Sequence, residues 1–339
     1  MRVAIYDKPG TVRLESRPTP TVGSEELLVK NRAFATSTSD IRAFVTGTYP
    51  RLLISQASEI VQIGEKVQNF KVGEHVYFRL YTYCRKCPAC LRGHYNVCQN
   101  LTDFSTDQAL SEYIRLPRTL IEAGGVFKVP EKVSFEDATR VGGLSNCINT
   151  LSSLNIQAGE NVVIVGSGVI GLLHLQLLKT YPVNMIIVSE VNSYRSKKAE
   201  EFGANYVINP EKTDISRIKE MTNGGADAVI VATASPKAMS QSLEMVRPRG
   251  RIAFFGGTRM APFDANVRLD TALIHYNELI IMGIYRSLPD QFVRAIDLIA
   301  SNRVPVTGLI THRFNLEQIG EFLKLTDDSI GLSASILLD

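Results

Sequence analysis

Two groups of residues in this 339-residue chain have the types and spacing that chemistry needs. The first is CRKCPACLRGHYNVC, where Cys84, Cys87, Cys90 and Cys98 stand in a C-x2-C-x2-C-x7-C pattern and make up four of the five cysteines. Four thiolates this near in sequence close a tetrahedron around one zinc ion. No coordination position is left open, so such a metal folds a loop and binds no substrate. The second is GSGVIG, Gly166 to Gly171, a G-x-G-x-x-G pattern. Glycine at 166 permits a tight turn, Gly168 leaves the backbone bare for a pyrophosphate, and Gly171 lets a helix pack closely. The helix start at Val169 and Ile170 then turns unpaired N–H groups toward the phosphates. Glu190, nineteen residues after Gly171, is placed to accept hydrogen bonds from ribose hydroxyls and to repel a 2′-phosphate. NAD is therefore the expected cofactor, while Arg195, five residues on, keeps NADP as the alternative.

Each group needs particular elements to hold it. NVVIVG reads as a buried strand running into a helix that starts near Val169, the setting a phosphate-binding glycine loop requires. The alternation continues through strand MIIVSE, helix SYRSKKAEEFG, strand YVINP, helix SRIKEMT, strand ADAVIVAT, helix KAMSQSLEMV and strand RIAFFGG. This order predicts an α/β fold, a parallel sheet wrapped by helices. Upstream, EELLVKNRAFA, ASEIVQIGEKV and KVGEHVYFRL are short β-rich runs separated by turn residues, which predicts a small β domain carrying the cysteine loop. After Gly283 the texture is mixed, with one amphipathic helix at QFVRAIDLIAS and a capping box expected from Ser287 and Asp290.

Composition narrows the class. The length fits two domains, and 45% hydrophobic residues suffice to fill both cores. A formal charge of +3 from 37 basic and 34 acidic side chains, with no block of like charge, argues against nucleic-acid partners. MRVAIYDKPG lacks the apolar core of a secretion signal, and no apolar run is long enough to span a bilayer. The expectation is a soluble, cytoplasmic protein acting on a small molecule. In that reducing compartment, clustered cysteines hold metal more often than they form bridges.

Taken in order, these features resemble the zinc-containing medium-chain dehydrogenases/reductases, the family of alcohol, sorbitol and threonine dehydrogenases. FKVGEHV resembles the family's F-x-V-G-D-R-V segment, and KVPEKVSFEDA its entry to the cofactor domain. EFGANYVINP resembles the strand after its second helix, and LITHRFNLEQI its carboxy-terminal return. The resemblance implies a GroES-like β-rich catalytic domain from residues 1–143 and 286–339, with the zinc lobe at 84–98, and a Rossmann doubly wound parallel-sheet domain over 144–285. It also implies a homodimer or homotetramer and one structural zinc on Cys84, Cys87, Cys90 and Cys98. Cys147 is left as a small core residue.

The departures from the family matter as much. Relatives hold a second, catalytic zinc with a Cys in C-G-T-D, a His in G-H-E and a further acidic or cysteine ligand at the start of the cofactor domain. Here those positions fall on Ser37, Thr38, Ser39 and Asp40, on Ile54, Ser55 and Gln56, and on Gly142 or Gly143. None of these matched ligand positions offers a thiolate, imidazole or carboxylate, and hydroxyls and amides are poor zinc ligands. A structural zinc without a catalytic one is therefore expected. Ser39 keeps the hydroxyl of the family's proton relay, but Arg42 replaces its histidine. Gln108 and Ala109 replace paired glycines, and SASILLD lacks a basic residue that often reaches the cofactor.

Three readings follow. Hydride transfer without catalytic metal, to a conjugated C=C, an iminium carbon or an activated carbonyl, would use Ser37, Ser39 and Ser55 as donors, with Arg42 and Arg51 contacting an anionic substrate. Ordinary alcohol/ketone interconversion would use the same hydroxyls but needs a base for the alcohol proton. A non-catalytic NAD-binding protein would keep the fold and lose the chemistry.

Overall fold

The computed structural model of the chain describes residues 1–8, 10–35, 55–79, 81–103, 110–257, 266–324 and 331–338. Two compact units emerge, one from residues 1–145, 287–327 and 333–339, the other from 146–286 and 328–332. Both ends of the chain thus build the first unit.

Seven of its described strands form one sheet around the strand Leu27–Ala35. That strand pairs antiparallel with Ser55–Ile63 along one edge. Along the other it pairs with Tyr113–Leu116 and with Ala334–Leu337, the last strand of the chain. Beyond Ser55–Ile63 lie His75–Phe78 and then Val126–Val129. Alternation sorts the side chains, since successive residues of a strand point to opposite faces. Leu27, Val29, Ile60, Val76, Phe78, Leu116 and Leu120 make one apolar core. The ring of Tyr77 lies on the other face, 6.0 Å from Phe292 of the helix Pro289–Ala300, and the His75 ring lies 4.1 Å from Phe135.

The second unit is a six-stranded, wholly parallel sheet. In space its strands run Tyr206–Ile208, Met185–Ser189, Asn161–Val165, Ala226–Val231, Val246–Phe254, Ile280–Gly283. Counted along the chain this is 3-2-1-4-5-6, the Rossmann order, whose direction reverses beside the first strand. Val162, Val163, Ile164 and Val229 to Val231 are buried, as expected of strands covered on both faces. The helix Val169–Leu178 is buried from Gly171 to Leu178, and the polar members His174 and Gln176 are buried with it.

Some helix starts show side-chain caps, and one cap expected from the sequence does not form. Asn192 accepts from the Arg195 N–H and Ser235 from that of Ala238, as capping side chains do. The expected Ser287 and Asp290 box does not form. Pro289 occupies the first helical position, the cap is Leu288, and the Gln291 side chain accepts from the Leu288 N–H at 2.7 Å. Ser287 is spent elsewhere, its hydroxyl 2.9 Å from that of Ser145. Among the described residues, no helix is long and apolar enough to cross a membrane.

Candidate functional site

The cysteine lobe builds a metal centre by local geometry. A short turn carries Cys84, the helix Pro88–Leu91 starts on Cys87 and contains Cys90, and Cys98 closes the 3-10 turn Tyr95–Val97. The four sulfurs lie within 4.8 Å of one another. Individual separations are 3.5 Å for Cys84 and Cys98, 3.9 Å for Cys87 and Cys98, and 4.0 Å for Cys84 and Cys90. A zinc ion bound at ~2.3 Å from each sulfur would need edges of ~3.8 Å, so the cage has the right size. Backbone N–H groups of Cys84 and Cys87 point at the sulfurs of Cys98 and Cys84, each at 3.3 Å. N–H groups of Cys90 and Gln99 pull the Cys87 thiol down to about 6, whereas burial pushes Cys90 up to about 12. As thiolates at these separations the four would repel one another, and a cation between them would offset that. Tyr83 anchors the lobe: it packs with Cys87 and Cys90, donates its hydroxyl to the Ser287 carbonyl at 2.9 Å, and lies 4.2 Å under the Arg79 guanidinium.

The glycine loop has the geometry of a dinucleotide cradle. Gly166 sits at φ +94°, where only glycine is unstrained. A Cβ on Gly171 would lie 1.9 Å from the Gly166 carbonyl oxygen, so the helix could not approach the strand with any larger residue there. Around Gly168 the space is open to 4 Å, and this residue is the helix cap with no side chain over its N–H groups. That bare helix start suits a pyrophosphate. Glu190 is buried at the end of the second strand. Its Oε2 accepts from the Ser167 N–H at 2.7 Å and hydroxyl at 3.0 Å, and its Oε1 from the Asn192 N–H at 2.9 Å. A carboxylate offers about four lone-pair sites, which leaves Oε1 one more bond to accept. The Arg195 Nε lies 3.5 Å from Oε2, so the arginine is drawn toward this carboxylate.

The positions matched to a catalytic metal tell a different story. Ser37, Ser39, Thr38, Asp40, Arg42, Arg51 and Ile54 lie outside the described residues, as do Gln108 and Ala109. Ser55 opens its strand, paired with Ala35. Gly142 is the second residue of the helix Val141–Leu154. A Cβ built on Gly142 would lie 2.3 Å from the Tyr77 hydroxyl and 3.9 Å from the Ser55 hydroxyl. The phenol therefore fills the space a side chain at 142 would enter, and the serine hydroxyl approaches the same point. Tyr77 was not marked by the sequence: it is sixty-five residues from Gly142 in the chain, and only the alternation of its strand hints that it shares a face with His75. Gln56, next to Ser55, is 1% exposed, and among the described residues neither end of its amide has a hydrogen-bond partner.

The buried histidine of the Rossmann unit is occupied in another way. His174 is buried against Cys147, with Nδ1 3.5 Å from the sulfur and 2.8 Å from the Ile170 carbonyl oxygen. The short contact to a carbonyl makes Nδ1 the protonated nitrogen. Burial pushes its pKa down to about 4, so the ring is neutral. Among the described residues, the cysteine quartet is the one cluster of three or more His, Cys, Asp or Glu side chains close enough to share a metal ion.

Comparisons with known proteins agree with this anatomy. The family described as alcohol dehydrogenase GroES-like domain matches residues 23–131, and that described as zinc-binding dehydrogenase matches 169–301. L-threonine 3-dehydrogenase of Pyrococcus furiosus is 32% identical over 309 residues, covering 87% of this chain and 86% of that one. Sorbitol dehydrogenase of Bacillus subtilis is 28% identical over 337 residues, covering 96% and 93%. An oxidoreductase/dehydrogenase of unknown specificity from Escherichia coli, 25% identical, superposes with a TM-score of 0.90 over 100% of this chain and 99% of its own. The chain belongs to the zinc-containing medium-chain dehydrogenase/reductase family. It is an NAD(P)-dependent dehydrogenase/reductase with a GroES-like unit and a Rossmann unit.

Proposed function

We propose that this enzyme transfers hydride without a catalytic metal, to a small activated substrate: a conjugated C=C, an iminium carbon or an activated carbonyl. The observation that carries this reading is the Tyr77 hydroxyl packed over Gly142. Where the family resemblance calls for an acidic or cysteine ligand, the chain has no side chain, and a phenol takes up the room. Ser55, matched to the histidine ligand, brings a second hydroxyl to that point. Hydroxyls hold zinc poorly but donate hydrogen bonds well. A catalytic zinc contributes several kcal/mol of transition-state stabilisation, and one preorganised donor ~3 kcal/mol. Two donors suffice for an electrophile that is already activated.

Bound in the glycine loop, a reduced nicotinamide supplies the hydride. Glu190 favours NAD over NADP: its remaining lone pair suits a ribose hydroxyl, and its charge repels a 2′-phosphate. Arg195, drawn to Glu190, partly answers that charge. Ser37 and Ser39 complete the proposed donor set, together with one structural zinc in the cysteine lobe.

Interconversion of a simple alcohol and ketone is a second reading, favoured by the threonine and sorbitol dehydrogenases among the relatives. A substrate panel separates the two. Oxidation of NADH and NADPH is followed with an α,β-unsaturated ketone, a cyclic iminium and simple ketones, and the reverse reaction with simple alcohols. The proposal expects turnover of the activated compounds at least tenfold above simple ketones, and a lower KM for NADH than for NADPH. Equal or faster turnover of simple ketones and alcohols establishes the second reading instead.

A further inference from the structure

We infer that Ser167, the residue between the first two glycines of the loop, is a positioning residue for the cofactor. Its hydroxyl holds the Glu190 carboxylate in the orientation that accepts from a ribose hydroxyl, and so sets the preference for NADH over NADPH. This deepens the reading of Glu190 as the ribose acceptor and rests on it.

The G-x-G-x-x-G pattern leaves the residue at 167 unspecified. In this chain it is a serine with no exposed surface, and both of its donors end on one oxygen of Glu190. The N–H lies 2.7 Å from Oε2 and the hydroxyl 3.0 Å. That hydroxyl has one proton and a second acceptor in reach, the Arg195 carbonyl oxygen at 3.2 Å. The nearer, charged acceptor takes it.

The backbone around the pair is tied down independently. The Gly166 N–H donates to the Ser189 carbonyl at 2.8 Å, and the Glu190 N–H to the Ile208 carbonyl at 3.0 Å. What remains to be fixed is the rotation of the Glu190 side chain, which is 4% exposed. Each carboxylate oxygen offers about two lone-pair sites. Ser167 fills both on Oε2, and the Asn192 N–H takes one on Oε1 at 2.9 Å. The acceptor site left over therefore lies on Oε1. A ribose 2′-hydroxyl can donate to it. A 2′-phosphate brings negative charge and acceptor oxygens instead. To admit that group Glu190 must turn away, and turning breaks its bonds to Ser167.

The test uses the full-length enzyme with its structural zinc and no substrate. Dissociation constants of NADH and NADPH are measured by nucleotide fluorescence. Ser167→Ala keeps the backbone N–H and removes the hydroxyl alone. We expect the constant for NADH to rise roughly tenfold, the scale of one hydrogen bond to a charged group, while that for NADPH stays within about twofold or falls, so that the preference narrows. Ser167→Cys, close in size and a weak donor, should narrow it in the same direction and serves if the alanine variant does not fold. In a Glu190→Ala background, Ser167→Ala should shift the ratio by less than about twofold, because the group it positions is gone. An unchanged ratio in Ser167→Ala, or an equal loss of both nucleotides, overturns the inference, since the hydroxyl then only supports the loop. If the parent prefers NADH while Ser167→Ala keeps the full preference, Ser167 alone is removed. A parent that binds NADPH as tightly as NADH removes the reading of Glu190 and the inference together.

Discussion

A missing side chain and a buried, neutral histidine stand out at the scale of residues. Gly142 is meaningful because of what fills the vacated space, a hydroxyl from a strand sixty-five residues earlier in the chain. Reading the sequence exposes the loss, since glycine stands where a ligand is expected, but not the replacement, because strand-to-helix contacts over that separation have no local signature. Cys84 to Cys98 and Gly166 to Gly171 are legible for the opposite reason: their spacing alone sets their geometry. His174 carries a prediction of its own. Its folded pKa is about 4, below the ordinary value of 6.5, because burial disfavours the charged ring. Below pH 6.5 the unfolded chain takes up a proton that the folded chain refuses until pH falls to about 4. Stability from this residue is therefore full above pH 6.5 and falls as the pH drops toward 4. His174→Met lacks that term. Between pH 7 and pH 5, urea unfolding of the wild type should lose ~2 kcal/mol more than the variant does. Parallel losses in the two proteins would place the ring in a different protonation state.

Elements show where local rules carry and where tertiary contacts override them. The Rossmann strands and the helix beginning at Val169 follow from apolar periodicity, and their observed bounds lie close to the expected ones. The cap of Pro289–Ala300 does not, because Ser287 meets Ser145, a partner that no window of neighbouring residues contains. The cysteine lobe is an element of another kind, a loop whose fold is supplied by an ion. Its own apolar contacts are few, chiefly Tyr83 with Tyr81, Tyr95 and Leu101 around the sulfurs. Metal binding in such a site is folding free energy. Cys87→Ser should therefore release the zinc and open residues 84–98 to limited proteolysis, while NADH binding by the Rossmann unit, read by nucleotide fluorescence, persists. An intact lobe in a zinc-free Cys87→Ser protein would mean that packing, not the ion, holds it.

At the scale of the whole molecule, one chain keeps the two-unit plan of its family, and the proposed difference lies at the positions matched to the family's catalytic metal. The fold class, the GroES-like and Rossmann halves and the nicotinamide dependence are legible because they are written in repeated local patterns along the chain. The substrate is not, because Ser37, Ser39, Arg42 and Arg51 belong to a segment outside the described residues, and pocket shape depends on such segments. The proposal that sets this enzyme apart from its relatives is that uncharged hydroxyls, Ser55 among them, take the place of the divalent cation the family resemblance calls for. Zinc per chain, determined by elemental analysis on protein whose turnover of an activated substrate has just been measured, tests it most directly. The account predicts one zinc per active chain, with activity unchanged by added zinc. Two zincs per chain, with turnover that rises and falls with the second, would contradict it.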